Sequence, residues 1–233
     1  MVKSFLRFVT FMVIAFFLTL QRSNGQQLGM SFSFFFPRNG SFSIPVSPFS
    51  FRGLGVSLTR NISLETGFTL YRMSGMSVTG IPFETHESVM GPFFSLMIPG
   101  QVVLKLPLKN VVFSVKGGGF GFYNLGNRVN YGNLDRAIRD YYQWEVANAD
   151  FSFDNKLGLG FIGGAELIIN FTRQFGMNFA VNYLAGGSNL NLKGSFTGGD
   201  KQSGLMTLQG NYPDSRLDYN GIEVTLGVLF NTK

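Results

Sequence analysis

The sequence predicts an all-β chain: a closed antiparallel transmembrane β-barrel of about eight strands, its apolar face turned outward to lipid. Three observations predict it. Apolar and small or polar residues alternate with period two in segment after segment. Long polar links and tight turns alternate strictly between those segments. The composition holds 30 Gly and 27 Phe with only 14% charged residues, too aromatic for disorder and without the Ala, Glu, Lys and Leu excess of a helical protein.

The N-terminus comes first. Lys3 and Arg7 precede an apolar run from Phe8 to Leu20, and Ser23-Asn24-Gly25 offers small residues for cleavage. That is the pattern of a secretory signal helix over residues 1–25, with the mature barrel domain over 26–233. The run is shorter than the roughly 20 residues of a membrane-spanning helix. Lys3, Arg7 and Arg22 fall within residues 1–25 and no acid does, so of 19 bases 16 remain against 13 acids. A balance of +3 is no nucleic-acid signature. Cysteine is absent, which excludes disulfides and thiolate metal sites, and one histidine leaves little for an imidazole site. No cofactor is expected.

Eight strands follow, at 28–36, 51–59, 62–72, 93–106, 111–123, 156–170, 175–190 and 217–230. The last is the clearest: Ile222, Val224, Leu226, Val228 and Phe230 share one face, and Gly221, Glu223, Thr225 and Gly227 the other. Phe175, Met177, Phe179, Val181 and Tyr183 oppose Gly176, Asn178, Ala180 and Asn182 in the same way. Pro99 interrupts the fourth strand, and Gly117-Gly118-Gly119 predicts a bulge or bend in the fifth. Arg60-Asn61, Pro107–Asn110 and Phe171–Gln174 are tight turns, whereas 37–50, 74–92, 124–155 and 191–216 are long. Both termini fall on the tight-turn side. Transmembrane barrels sort their connections in this way and soluble sandwiches have no reason to.

Periodicity alone does not say which face meets lipid. Size does. The less apolar face carries Gly29, Ser31, Ser33, Gly53, Gly55, Ser57, Gly158, Gly160, Gly164, Gly176, Ala180 and Gly227, which suit a narrow interior and not a solvated surface. The same face carries Glu65, Lys105, Lys116, Glu166 and Glu223. Counted from the tight-turn end they lie at comparable depth, so an ionic cluster is expected to plug the lumen near that end.

On these features the chain resembles bacterial outer-membrane β-barrel proteins of the small porin-like family, whose eight-stranded members have a barrel like that of outer membrane protein A. The resemblance covers residues 28–230 and includes GIEVTLGVLF, which looks like the family's C-terminal assembly signal, here followed by Asn231-Thr232-Lys233. It implies a bacterial outer-membrane location among outer-membrane lipids. It also implies assembly through periplasmic chaperones and the barrel insertion machinery.

Two loops hold candidate chemistry. Residues 84–88, Glu-Thr-His-Glu-Ser, place His86 two residues from Ser88 beside Glu84 and Glu87. Outer-membrane lipid A deacylases are similar in having a His and a Ser so spaced, with an acid orienting the base. In the 124–155 loop Asn133 is placed to cap a short helix with Leu134, Ala137, Ile138 and Tyr141 or Tyr142 at helical spacing. Tyr141, Tyr142 and Trp144 then form an aromatic set for an extracellular partner or the headgroup layer, or simply close the barrel mouth. Thr197-Gly198-Gly199-Asp200 predicts a hairpin turn. The expected role is structural or surface-interactive, non-enzymatic and without an open pore. A barrel-type lipid hydrolase using His86 and Ser88, or a soluble lipocalin-like binder, are the alternatives.

Overall fold

The computed structural model describes residues 27–38, 46–84, 87–202 and 204–231. The export segment at 1–25 lies outside them. In chain order the elements are β1 (Gln27–Pro37), β2 (Val46–Ser57), β3 (Ile62–Met73), the short β4 (Val78–Thr79), β5 (Phe93–Leu108) and β6 (Val111–Leu125). After these come the helix α1 (Tyr131–Tyr142), β7 (Val146–Ser152), β8 (Gly158–Asn170), β9 (Phe175–Asn189), β10 (Leu192–Asp200), β11 (Gly204–Tyr212), β12 (Arg216–Asp218) and β13 (Gly221–Asn231).

Eight of these strands form one antiparallel sheet in the order β13-β1-β2-β3-β5-β6-β8-β9, and β9 pairs back onto β13 to close it. Closure leaves no sheet edge in the wall, the condition for a sheet to stand in hydrocarbon. Six of the eight predicted strands agree with the observed ones to within two residues. Two differ. β2 begins at Val46, not residue 51, and the predicted 217–230 strand divides into β12 and β13.

The face assignment is the one the small residues predict. Phe179, Leu64 and Leu226 are exposed on the outer surface, while Ala180, Asn182, Glu223 and Thr225 are buried inside. A soluble barrel has the reverse arrangement.

Two of the three tight turns are built alike. Thr59 Oγ1 accepts from the N–H groups of Asn61 (3.3 Å) and Ile62 (3.0 Å) between β2 and β3. Thr172 Oγ1 accepts from Gln174 (3.2 Å) and Phe175 (3.0 Å) between β8 and β9. Thr-Arg-Asn-Ile and Thr-Arg-Gln-Phe are thus one turn used twice, each hydroxyl satisfying two backbone donors. The β5–β6 turn instead places Lys109 at φ 57.

Two local expectations are corrected. β6 holds unbroken register with β5 and β8 through Gly117-Gly118-Gly119, so there is no bulge there; the irregular register falls in β2, between Phe51 and Leu54, where Gly53 has φ 81. The Thr197–Asp200 segment is strand, not turn. Gly198 lies against the indole of Trp144, where a Cβ would collide with the ring, and the hairpin reverses only after Asp200.

Beyond the barrel mouth, β11, β10 and β7 form a second, three-stranded sheet. The helix α1 packs on it through Leu134, Ala137 and Ile138. Asn133 does not cap this helix: the N-cap position is Asn130, and the Asn133 side-chain amide donates to the Ser88 carbonyl at 2.8 Å. Among the described residues no helix is long and apolar enough to cross a membrane.

Candidate functional site

The lumen is filled in tiers, each set by what the inward positions carry. One tier is hydroxyl. Ser33 Oγ lies 3.0 Å from Thr225 Oγ1 and 3.2 Å from Ser50 Oγ, and Ser50 Oγ lies 2.5 Å from Thr69 Oγ1. These four side chains join strands β13, β1, β2 and β3 across the inner wall.

The second tier is ionic. Lys105 Nζ lies 2.7 Å from Glu65 Oε1, Lys116 Nζ lies 4.0 Å from Glu65 Oε2, and Lys116 also pairs with Glu166. The four predicted residues therefore form one chain, Lys105–Glu65–Lys116–Glu166, across β5, β3, β6 and β8. Asn178 donates to Glu166 at 2.7 Å and Ser63 to Glu65 at 2.9 Å. Ions buried this deeply need such partners, because the low-dielectric wall does not solvate them. The fifth predicted member, Glu223, is buried on the same inner wall. Lys105 and Lys116 direct their ion pairs to Glu65 and Glu166; Glu223 accepts from the hydroxyl of Tyr71 and, at 2.6 Å, from the Asn182 amide.

The third tier is aromatic. Phe35 stacks on Tyr219 at 5.0 Å, Tyr219 lies 4.2 Å from Phe122, and Phe120 and Tyr71 complete the layer. All five rings are at most 3% exposed. A lumen of glycines, serines and ions is therefore only part of the interior. The signal was present, since the parity that turns Ser33 and Lys116 inward turns Phe35, Phe120 and Phe122 inward as well.

Above the rings the core continues without interruption into the loops. Met73, Met76, Met90 and Met97 lie buried beneath Leu134 and Ile138 of α1, with Phe83, Phe151, Leu192 and Phe196 in the same cluster. Flexible Met side chains fill the irregular space where barrel meets cap. Glu87 pairs with Arg136 at 2.8 Å and so ties the 74–92 link to the helix. Inside the cap, Asp135 Oδ1 accepts from the Ala149 N–H at 2.8 Å, and burial nevertheless raises its carboxyl above the usual range.

The predicted aromatic set sits on this cap. Tyr142 stacks on Trp144 at 4.7 Å, and Tyr141 meets Phe83 edge-on at 5.4 Å. Both Tyr142 and Trp144 also reach Phe196. One side of the set is thus cap core, yet Tyr141 remains 52% exposed, and at the hairpin end Leu205 is 72% exposed. Ser88 is buried under α1. His86 and Thr85 lie outside the described residues. Among the described residues no grouping of His, Asp and Glu is arranged to hold a metal ion.

No family model and no curated protein matches the chain. Among solved structures it is similar to the outer membrane protein OprG from Pseudomonas aeruginosa, with 8% identity, 89% of this chain and 95% of that chain covered, and a TM-score of 0.53. It is also similar to Ail, the attachment invasion locus protein of Yersinia pestis, with 11% identity, 89% and 97% covered, and a TM-score of 0.41. The likeness to OprG is one of fold: an eight-stranded barrel of the outer-membrane type.

Proposed function

We propose that this chain is an integral barrel of the bacterial outer membrane that carries no open pore and presents a folded cap for contact at the cell surface. One observation supports it above others. A single apolar core runs from the ring layer inside the barrel up through α1 and the second sheet. Three tiers of side chains thus close the lumen while the same core holds the loops in one shape. A channel has no use for such a plug, and a rigid loop surface suits recognition better than a mobile one. Tyr141 at the helix end and Leu205 at the hairpin end supply the exposed apolar anchors that interfaces favour.

The chain has no cysteine, which makes the test direct. Leu205→Cys on intact cells is expected to react with a membrane-impermeant maleimide, and Arg60→Cys, in the opposite turn, only after lysis. Purified barrel in a planar bilayer is expected to show no stepwise conductance. Labelling with the opposite polarity, or steady open channels, would defeat the proposal.

A further inference from the structure

The outer wall has a hollow in it. Most lipid-facing positions carry large apolar side chains, but on β5, β6 and β8 five adjacent outward positions are glycine: Gly100, Gly117, Gly119, Gly121 and Gly163. They neighbour one another across the ladder, Gly100 opposite Gly119 and Gly117 opposite Gly163. None has a positive φ. A Cβ at Gly100 or Gly117 would meet nothing within 4 Å, and at Gly119, Gly121 and Gly163 its nearest neighbours would be 3.5, 3.7 and 3.8 Å away. Neither backbone conformation nor packing within the chain requires glycine at these places.

Three of these glycines, Gly100, Gly119 and Gly121, line a groove of about 700 Å³. Between Ile98 on β5 and Leu159 and Phe161 on β8 the floor is β6, and past β8 the groove continues over Ala185 and Gly186 of β9. Two interstrand spacings separate β5 from β8, about 10 Å. Allowing for the side chains, that admits one extended hydrocarbon chain. It does not admit the broad convex wall of a second barrel. The floor from Gly119 to Gly121 runs about 7 Å along the strand. At its mouth end the groove is lined by Arg216, whose strand β12 pairs with β9 beyond Gly187. Arg216 is exposed and makes no ion pair among the described residues. A planar guanidinium in that position matches a phosphate.

We propose that this groove holds one acyl chain of an anionic phospholipid, with the headgroup phosphate on Arg216. The inference rests on the bilayer reading above but not on the cap. It predicts a lipid that stays with the protein when bulk lipid is removed, because an apolar slot and a charge act on one molecule together.

The test is native mass spectrometry of the full chain released from detergent micelles containing equal amounts of phosphatidylglycerol and phosphatidylcholine. Wild type is expected to retain one phosphatidylglycerol in preference to phosphatidylcholine. Arg216→Gln is expected to reduce that retention about tenfold, as for loss of one charged hydrogen-bonding partner. Gly119→Leu, which fills the floor, is expected to reduce it with Arg216 intact. Met177→Leu, on the outer face away from the groove, serves as control and leaves retention unchanged. Equal retention of the two lipids by wild type, or wild-type retention in both variants, overturns the inference. So does a dimer that Gly119→Leu disperses, since a second copy would then be the occupant. Insertion into phosphatidylcholine vesicles, read by heat-modifiable gel migration, is measured in parallel. Failure of wild type there counts against the membrane reading itself, whereas insertion with unselective lipid retention counts against the groove alone.

Discussion

Gly118 and Gly119 are consecutive residues of one strand, yet their absent side chains have different reasons. A Cβ at Gly118, on the inner face, would collide with the backbone of Gly100 and Gln101 on β5; the same is true of Gly164 against β9. At Gly119, on the outer face, the nearest atom to a Cβ would be 3.5 Å away. The inner glycines let neighbouring strands and crowded interior side chains approach. The outer ones leave space that the chain itself does not fill. Identical residues in one strand therefore report the inside of the protein at one position and its surroundings at the next.

Substitutions on the two faces can break that contrast or sharpen it. The largest effect is expected inside. Lys116→Met leaves Glu65 short of one cation and Glu166 without its cation, and should cost about 3–5 kcal/mol of barrel stability in urea unfolding from vesicles. A loss below 1 kcal/mol would mean that the lumen is wetter than its burial implies. Next comes charge on the outer wall. Phe179→Arg, outward on β9, should cost about 2–4 kcal/mol where the bilayer midplane meets it. A neutral result would remove lipid from that face. Third is the inner glycine itself: Gly118→Ala should destabilise by about 1–3 kcal/mol through overpacking. Smallest is Gly119→Ala, expected within about 0.5 kcal/mol of wild type or slightly stabilising, as for Gly→Ala where the backbone conformation is ordinary. If Gly118→Ala and Gly119→Ala proved equal in the same unfolding assay, the distinction between the faces would fail.

The cap offers a second contrast with the barrel wall. In the wall, six of the eight predicted strands held to within two residues, because each strand alternates against two fixed environments and a register slip would turn every Leu and Phe into the lumen. In the loops they held only in part. The helix lies where its spacing of Leu134, Ala137 and Ile138 placed it, but Asn133 reaches across to Ser88 instead of capping its own helix. The Thr197–Asp200 turn became strand, because β10 pairs with both β11 and β7 and gives Gly198 to Trp144. Neither contact has a local signature. Each is made by a segment distant in sequence, which propensity does not see.

Within the lumen the division is finer. Parity alone turned Glu65, Lys105, Lys116, Glu166 and Glu223 inward, together with Phe35, Phe120, Phe122 and Tyr71. Which of them meet was not legible, since height in a barrel depends on the tilt and stagger of eight strands at once. The closed wall joins Lys105, Glu65, Lys116 and Glu166 in one chain and brings Glu223 to Tyr71 and Asn182.

By itself the sequence determined the strand count, the alternation of long and short connections, and the outward direction of the apolar face. Those follow from a period of two and from side-chain size, both properties of a strand and its immediate neighbours. Only the tertiary structure decided which ions pair, that the upper lumen and the loops share one core, and that Gly100, Gly119 and Gly121 border one groove. Each of those depends on how separate strands are staggered around a closed wall, and closure is a property of all eight together.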